Sequence, residues 1–199
     1  MKSLICIIGI LAATLGPALP VAAQSAAKVE NQAPMAKALE NAMTPGQGHK
    51  RLDPLIGTFN VAIKIWVTPE GPPIESTAAS VNTWVLGGRF VQMMLNGDAP
   101  NAPFNGTGHI AYDNVTKNYQ AAWMDSGSTA ITLYTGKLDA AGKSALLKGS
   151  IPNALTGKPS PVELRMTIEP DGSHLTQLWG QGKGAKMVKL MELQYTKVR

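Results

Sequence analysis

Short runs of alternating apolar and polar residues recur along the chain between Gly57 and Arg199, and turn residues follow each run. In the clearest run, residues 162–169, Val, Leu, Met and Ile alternate with Glu, Arg, Thr and Glu. Successive side chains of a β-strand point to opposite faces of a sheet, so each run has one face to bury and one to expose to water. Because no helical periodicity separates the runs, the pattern predicts an antiparallel sheet that closes into a barrel or folds into a sandwich.

The runs define ten predicted strands, joined mostly by links of two to five residues as in an up-and-down meander. The predicted strands cover residues 57–67, 75–86, 89–96, 105–113, 118–125, 130–139, 144–151, 161–170, 173–180 and 186–197. Three Pro-rich links, 69–73, 100–103 and 152–161, are expected at the barrel mouth. About eight strands already enclose one small ligand in a lipocalin-type barrel. We therefore predict an all-β, antiparallel up-and-down lipocalin-like (calycin-type) barrel of about 8–10 strands, with a two-sheet sandwich as the alternative.

Residues 1–23 have the pattern of a secretory signal peptide. Lys2 provides a positive charge, the segment from Leu4 to Leu15 is apolar, and small residues precede a cleavage site before Gln24. The apolar segment is shorter than the ~18 residues of a membrane-spanning helix, and no other segment approaches that length. We therefore predict a protein without a membrane span that is exported to the periplasm or secreted.

Residues 24–33 are Ala-rich and polar and predict a disordered leader, after which residues 34–199 are expected to form a single lipocalin-like barrel domain. Its first element is a short helix over 34–43, where a proline suits the first turn and apolar residues recur every four positions. A further helical turn is expected over 49–55. This N-terminal segment is suited to plug one mouth of the barrel.

The charge distribution argues against nucleic acid as a partner. The full chain has a net charge of +5, which falls to +4 when Lys2 leaves with the signal peptide. The basic residues are scattered singly, whereas proteins that bind nucleic acid usually concentrate them in a stripe or patch. A mildly basic and evenly solvated surface is the expectation.

The residue types also argue against several kinds of site. The one cysteine, Cys6, lies in the predicted signal peptide, so the mature chain offers no disulfide, thiol nucleophile or cysteine ligand. His49, His109 and His174 form no closely spaced pair of the kind that zinc sites normally contain. His109 and His174 are expected to be exposed strand residues. Since no catalytic or cofactor-binding motif is present, we predict no metal, no cofactor, and a binding protein in preference to an enzyme.

Five groups of motifs extend this interpretation. They are His49-x-x-Leu52 with Leu55-Ile56-Gly57-Thr58-Phe59, Trp84-x-Leu86-Gly87-Gly88-Arg89-Phe90, Gly106-x-Gly108 leading to Tyr112-Asp113-Asn114, Tyr119-x-x-x-Trp123-x-Asp125-Ser126, and Glu192-x-x-Tyr195. Together they resemble the bacterial secreted family catalogued as domain of unknown function 1579, over about residues 43–197. The resemblance implies a lipocalin-like barrel and leaves the function open, because that family has no established activity.

The chain departs from the pattern of that family at two positions. Phe59 stands where the family more often has Trp, and Lys197 stands where an Arg after the last Tyr is usual. If these two positions close the barrel floor by a cation–π contact, the Phe–Lys version is expected to be weaker than a Trp–Arg version.

Eight residues are candidates for lining a ligand pocket: His49, Trp66, Trp84, Arg89, Tyr112, Tyr119, Trp123 and Asp125. Tryptophan combines a large apolar body with an N–H that needs a partner, which suits the wall of a wet pocket. Arg89 follows paired glycines at a predicted barrel corner, and an inward guanidinium would bind a carboxylate or phosphate. Tyr119, Trp123 and Asp125 share one strand face, and His49 lies on the predicted plug.

Each candidate also has a purely structural interpretation. Arg89 would then form a surface ion pair, the tryptophans would be ordinary packing residues, and Asp125 would cap the turn that follows it. Trp66 falls on the strand face opposite Phe59, which is compatible with an outer apolar patch and a homodimer.

Three functions are compatible with these features. The leading hypothesis is binding of a small apolar or amphipathic molecule inside the barrel, with any anionic group met by Arg89. The second is an isomerase or hydrolase that uses Asp125 and His49 as an acid–base pair, which requires both residues in one cavity. The third is a protein-interaction module whose barrel is filled by side chains.

Overall fold

The computed structural model describes most of the chain beyond its N-terminal segment. The described residues are 33–99, 102–182, 184 and 186–198. The predicted signal peptide and nearly all of the predicted disordered leader lie outside these residues.

Internal contacts divide the chain into two units, Met1–Asn41 and Ala42–Arg199. Helix α1 covers residues 33–43, as predicted. The second unit contains helix α2 (Gln47–Lys50) and a 3-10 helix (Asp53–Leu55). Within the described residues, the helices are too short or too polar to cross a membrane.

Ten antiparallel strands close into a barrel in which every strand pairs with its neighbours in sequence and the last pairs with the first. The strands are β1 (Gly57–Ile65), β2 (Ile74–Val85), β3 (Phe90–Ala99), β4 (Ala102–Asp113), β5 (Asn118–Asp125), β6 (Thr132–Leu138), β7 (Ser144–Pro152), β8 (Pro159–Ile168), β9 (His174–Gln181) and β10 (Met187–Lys197). All ten predicted strands form, and their ends lie within three residues of the prediction. Val61 of β1 pairs with Tyr195 of β10. The sheet therefore closes on itself, and the sandwich alternative is wrong.

The two ends of the barrel differ, and we name them by the first and last strands. The plugged end is where β1 begins and β10 ends, and the mouth is where β1 ends and β10 begins. The three Pro-rich links follow β1, β3 and β7, so all of them lie at the mouth, as predicted. Two of these links are shorter than predicted, because Ala99 pairs with Ala102 and Pro152 pairs with Pro159, which lengthens both hairpins.

Residues 46–56 close the plugged end. Leu52 and Leu55 of this segment have 0% and 1% of their surface exposed. Asn82 of β2 donates from Nδ2 to the Leu55 carbonyl at 2.9 Å, and its Oδ1 accepts a hydrogen bond from Ser80 Oγ at 2.8 Å. The bond to Leu55 attaches the segment to the barrel wall, and the bond from Ser80, within β2, holds the Asn82 amide in place. The predicted second helical turn is therefore the plug.

Many inward-facing apolar side chains of the barrel are buried, and others in the middle of the barrel and towards the mouth are only half-buried. The buried cluster that includes the plug consists of Leu52, Leu55, Val91, Ile110, Tyr119, Ala121, Tyr134, Leu138, Ala145, Leu147, Val162, Met166 and Ile168. Inward-facing apolar side chains in the middle of the barrel and towards the mouth are half-buried: Ile65, Met93, Phe104, Trp123, Ile151, Leu164, Leu178 and Met191.

An aromatic cluster forms the barrel floor beside the plug. The His174 ring stacks on Tyr195 with centroids 4.1 Å apart, and Phe59 meets His174 edge-on at 5.1 Å. His174 is 3% exposed, so the expectation of an exposed strand residue is wrong. It faces inward because it opposes Tyr195 across the β9–β10 ladder. Lys197 Nζ lies 5.8 Å from the centroid of the Phe59 ring, so a Phe–Lys contact does occupy the floor.

Candidate functional site

The eight predicted pocket residues lie in three separate places. His49, Trp84, Arg89, Tyr112 and Tyr119 are at the plugged end, Trp123 and Asp125 are at the mouth, and Trp66 is on the outer surface. Consecutive strand residues advance about 3.4 Å, so Tyr119 and Asp125, six positions apart on β5, are separated by roughly 20 Å. The eight residues therefore do not form one pocket.

His49 of the plug packs with Tyr112 and Tyr119 of the barrel wall. The Tyr112 ring lies 5.9 Å from the His49 ring and 4.9 Å from the Tyr119 ring. The Tyr119 hydroxyl donates to the Gly48 carbonyl at 2.9 Å, and burial raises the pKa of Tyr119. His49 Nδ1 accepts a hydrogen bond from the Gly46 N–H at 3.1 Å, and burial lowers the pKa of His49. These contacts anchor the plug to the barrel.

Trp84 and Arg89 also have structural partners at the plugged end. Trp84 Nε1 donates to Asp53 Oδ1 at 3.0 Å, which joins β2 to the 3-10 helix. Arg89 is exposed and donates from its guanidinium to the Leu86 carbonyl at 3.1 Å, inside the β2–β3 turn. Leu86 and the paired glycines after it all have positive φ, as a sharp barrel corner requires. Arg89 is therefore a corner residue outside the lumen.

Trp66 lies on the outer surface, on the face that its strand position predicts, and a cation covers its ring. Lys189 Nζ is 4.4 Å from the Trp66 ring centroid and donates to Glu192 at 2.7 Å. That bond is the main cause of the lowered pKa of Glu192. Trp179, also outside, is covered in the same way by the guanidinium of Arg165 at 4.3 Å. The two outer tryptophans are therefore parts of a charged network and do not form a bare apolar patch.

Trp123 and Asp125 point into the barrel at the mouth end of β5. The Trp123 ring lies flat across Gly106 and Gly108 of β4, and a Cβ atom at Gly108 would be 2.6 Å from the indole Cε3. Trp123 Nε1 donates to Asp125 Oδ2 at 2.8 Å, and Asp125 Oδ1 accepts from the Gly127 N–H at 2.9 Å. Asp125 thus caps the turn that follows it and also orients the indole. The two glycines form the Gly106-x-Gly108 motif of the sequence, but their packing against the indole ring was not predicted.

Tyr134 adds a polar group near the mouth that was not among the predicted residues. Its side chain is buried, and burial followed by the negative charge of Asp125 raises its pKa to about 12. The side chain of Thr132 forms a hydrogen bond with it. The alternation in β6 could have identified Tyr134, because Tyr134 and Leu138 are the buried positions on one face of that strand.

The arrangement suits binding better than acid–base catalysis. His49 belongs to the plug and Asp125 lies at the mouth, so the two groups that an acid–base pair would need are at opposite ends. Within the described part of the chain, no group of three or more His, Cys, Asp or Glu side chains is placed to hold a metal ion. Every buried side-chain polar atom in that part has a hydrogen-bond partner.

Two open grooves lie on the outer surface of the barrel. One, of about 500 Å³, includes Leu146, Arg165 and Gln177 in its lining. The other, of about 440 Å³, includes Gln120 and Leu133. Neither groove is lined by Trp123 or Asp125. Each groove is therefore an alternative to the lumen as a binding site for a small ligand.

Comparison with known proteins agrees with this fold and supplies no activity. Residues 44–197 match the family described as "Protein of unknown function (DUF1579)", and that range contains the plug and all ten strands. No curated protein matches the sequence.

Proposed function

This chain belongs to the DUF1579 family, whose description assigns no activity, so we propose a function from the barrel itself. The protein binds a small apolar or amphipathic molecule inside the barrel, between the buried cluster above the plug and the mouth. It acts after export, in the periplasm or outside the cell. The proposal of export rests on the signal-peptide pattern of residues 1–23.

The exposure of Leu164 is the observation that carries the proposal of binding. Leu164 faces inward on β8 between Val162 and Met166, and both of these neighbours are buried. Leu164 itself is half-buried, and so is Leu178, its partner across the β8–β9 ladder. In a barrel packed to the usual density of a protein interior, inward apolar side chains at this depth would be closed to water. Their partial exposure supports a space that a ligand can occupy.

The two ends of the barrel indicate how such a ligand would enter. Leu52 and Leu55 of the plug are buried against the floor, which leaves the mouth as the route of entry. The half-buried inward residues around this space are apolar or aromatic, with a few polar groups near Asp125. A concave, mostly apolar wall with a small number of polar groups is typical of small-molecule sites.

A substitution that fills the space tests the proposal. Leu164→Trp would place an indole where the half-buried leucine lies. We expect the neutral fluorescent probe N-phenyl-1-naphthylamine to bind the wild-type protein at one saturable site. The affinity of the Leu164→Trp variant for this probe should fall by about tenfold or more, because the new side chain excludes the probe from the lumen.

Leu146→Trp is the matched control, because Leu146 lies on the neighbouring strand β7, points outward and lines the larger outer groove. If the probe binds in the lumen, Leu146→Trp leaves its affinity unchanged. Loss of binding in Leu146→Trp but not in Leu164→Trp would assign the probe to the groove and refute binding inside the barrel. Thermal unfolding of both variants shows whether each remains folded.

A further inference from the structure

The interior of the barrel carries charge of opposite sign at its two ends. Among the inward-facing strand positions that the structure describes, the mouth half contains one ionised side chain, Asp125. The cation on these positions is Lys197, at the plugged end. The remaining inward positions of the mouth half are apolar residues, glycines and neutral hydroxyl residues. Asp125 is therefore the charged side chain nearest the mouth among these inward positions.

Aromatic rings stand beside this carboxylate. The Trp123 indole lies against Gly106 and Gly108, packs against both buried clusters and remains half-buried. Phe104, two residues before Gly106 on the same inward face of β4, is half-buried as well and packs in the same cluster as Trp123. An organic cation gains both from the face of an aromatic ring and from a nearby carboxylate.

The hydrogen bonds that Asp125 makes leave part of its carboxylate able to contact a ligand. A carboxylate has about four acceptor positions, and Trp123 Nε1 and the Gly127 N–H use two of them. These two donors also keep the side chain in one orientation, so little ordering is needed when a ligand binds.

From these observations we infer that the ligand has a positively charged head, an amine or a quaternary ammonium, which binds beside Asp125 and the half-buried ring of Trp123. Its apolar part extends towards Leu164 and Leu178. The inference rests on the proposed function, because it names the class of ligand for the same lumen. The sequence suggested an anionic head bound by Arg89. A cationic head replaces that expectation, because Arg89 is exposed at the other end of the barrel.

Calorimetric titration with three probes of equal tail length tests the inference: decyltrimethylammonium, decyl sulfate and 1-decanol, each below its micelle concentration. We expect decyltrimethylammonium to bind about tenfold more tightly than decyl sulfate. The overall field of a chain with a net charge of +5 would favour the sulfate, so a preference for the cation has to arise locally.

Two variants locate the preference. Asp125→Asn should weaken binding of the cation about tenfold more than binding of 1-decanol, because it removes the charge, while its one amide oxygen still accepts from one of the two N–H donors. Asp139→Asn is the matched control, because Asp139 also caps a turn, through the Lys143 N–H and Ser144 Oγ, but lies at the plugged end. It should change neither affinity.

Each of the remaining outcomes refutes either the cationic head alone or the proposed function as well. Equal affinity of all three probes, or a preference for decyl sulfate, overturns the cationic head and leaves binding in the lumen intact. An equal loss in Asp125→Asn and Asp139→Asn attributes the effect to turn capping and also overturns it. If 1-decanol and both charged probes fail to bind the wild-type protein, the proposed function fails together with the inference. The wild-type comparison stands even if Asp125→Asn does not fold.

Discussion

Asn82→Ala is expected to release the plug from the barrel wall. Asn82 is 1% exposed, and its amide makes two buried bonds: Nδ2 donates to the Leu55 carbonyl of the plug, and Oδ1 accepts from Ser80 Oγ on the same strand. Truncation to alanine leaves the Leu55 carbonyl and the Ser80 hydroxyl buried without these partners. The plug then loses its attachment at the point where Leu52 and Leu55 enter the core.

The magnitude follows from the two groups left unpaired. A buried polar group without a partner costs about 1–3 kcal/mol, and a serine hydroxyl can rotate to recover part of its share. The free energy of unfolding should therefore fall by roughly 2–4 kcal/mol. For a domain of this size, each kcal/mol lowers Tm by about 2–4 °C, so we expect a decrease in Tm of roughly 5–15 °C.

Urea and thermal unfolding measure this loss, and amide hydrogen exchange shows where it occurs. The Leu52 N–H donates to the His49 carbonyl at 2.8 Å, and the Leu55 N–H donates to the Leu52 carbonyl at 3.0 Å. Both amides should exchange faster in Asn82→Ala. Asn60→Ala is the control, because Asn60 is exposed on the outer face of β1. An equal loss of stability in both variants, or unchanged exchange at Leu52 and Leu55, would refute this account of the plug.

Two further predictions concern the packing of Gly106 against the Trp123 ring and the aromatic cluster of the barrel floor. Gly106→Ala should destabilise the protein by about 1–3 kcal/mol and weaken binding of N-phenyl-1-naphthylamine, because the three atoms nearest to the new Cβ all belong to the Trp123 ring. Gly46→Ala is the control, because a Cβ there meets nothing within 4 Å. Equal effects of the two substitutions would contradict the close packing of Gly106 against the Trp123 ring. Burial lowers the pKa of His174 from 6.5 to about 4, so unfolding takes up a proton between these values and stability should fall by roughly 2–3 kcal/mol from pH 7.5 to pH 4.5. Urea unfolding at the two pH values checks this, and a His174→Phe variant with the same pH dependence as the wild type would rule out His174 as its source.

The strands and their faces could be predicted because each depends on a few consecutive residues. The alternation in 162–169 predicted a strand with one buried face, and Val162, Met166 and Ile168 are buried on that face of β8. The same parity placed Trp66 on the face opposite Phe59, although Trp66 was still a pocket candidate, and in the barrel this face is the outer one. The helix over 34–43 and the plug followed from local composition and turn residues.

The candidate site could be predicted only where its residues share a strand. Trp123 and Asp125 were placed together because they are two positions apart on β5, and they share a hydrogen bond. Grouping Asp125 with Arg89 or His49 was not sound, because successive turns of an up-and-down meander alternate between the two ends. His49 precedes β1 and Arg89 follows β2, whereas Asp125 ends β5 at the opposite end. The role of Tyr134 needed the β5–β6 register, in which it pairs with Ala121.

The sequence by itself determined the strands, the alternation between their two faces and the short links that favour closure, because the period of two and the turn residues are local properties. Only the tertiary structure decided that His174 enters the floor beside Phe59 and that Gly106 and Gly108 carry the Trp123 ring. These contacts depend on the register between separate strands and on the pairing of β1 with β10. That register is set by how all side chains pack around the closed barrel, which no short segment encodes.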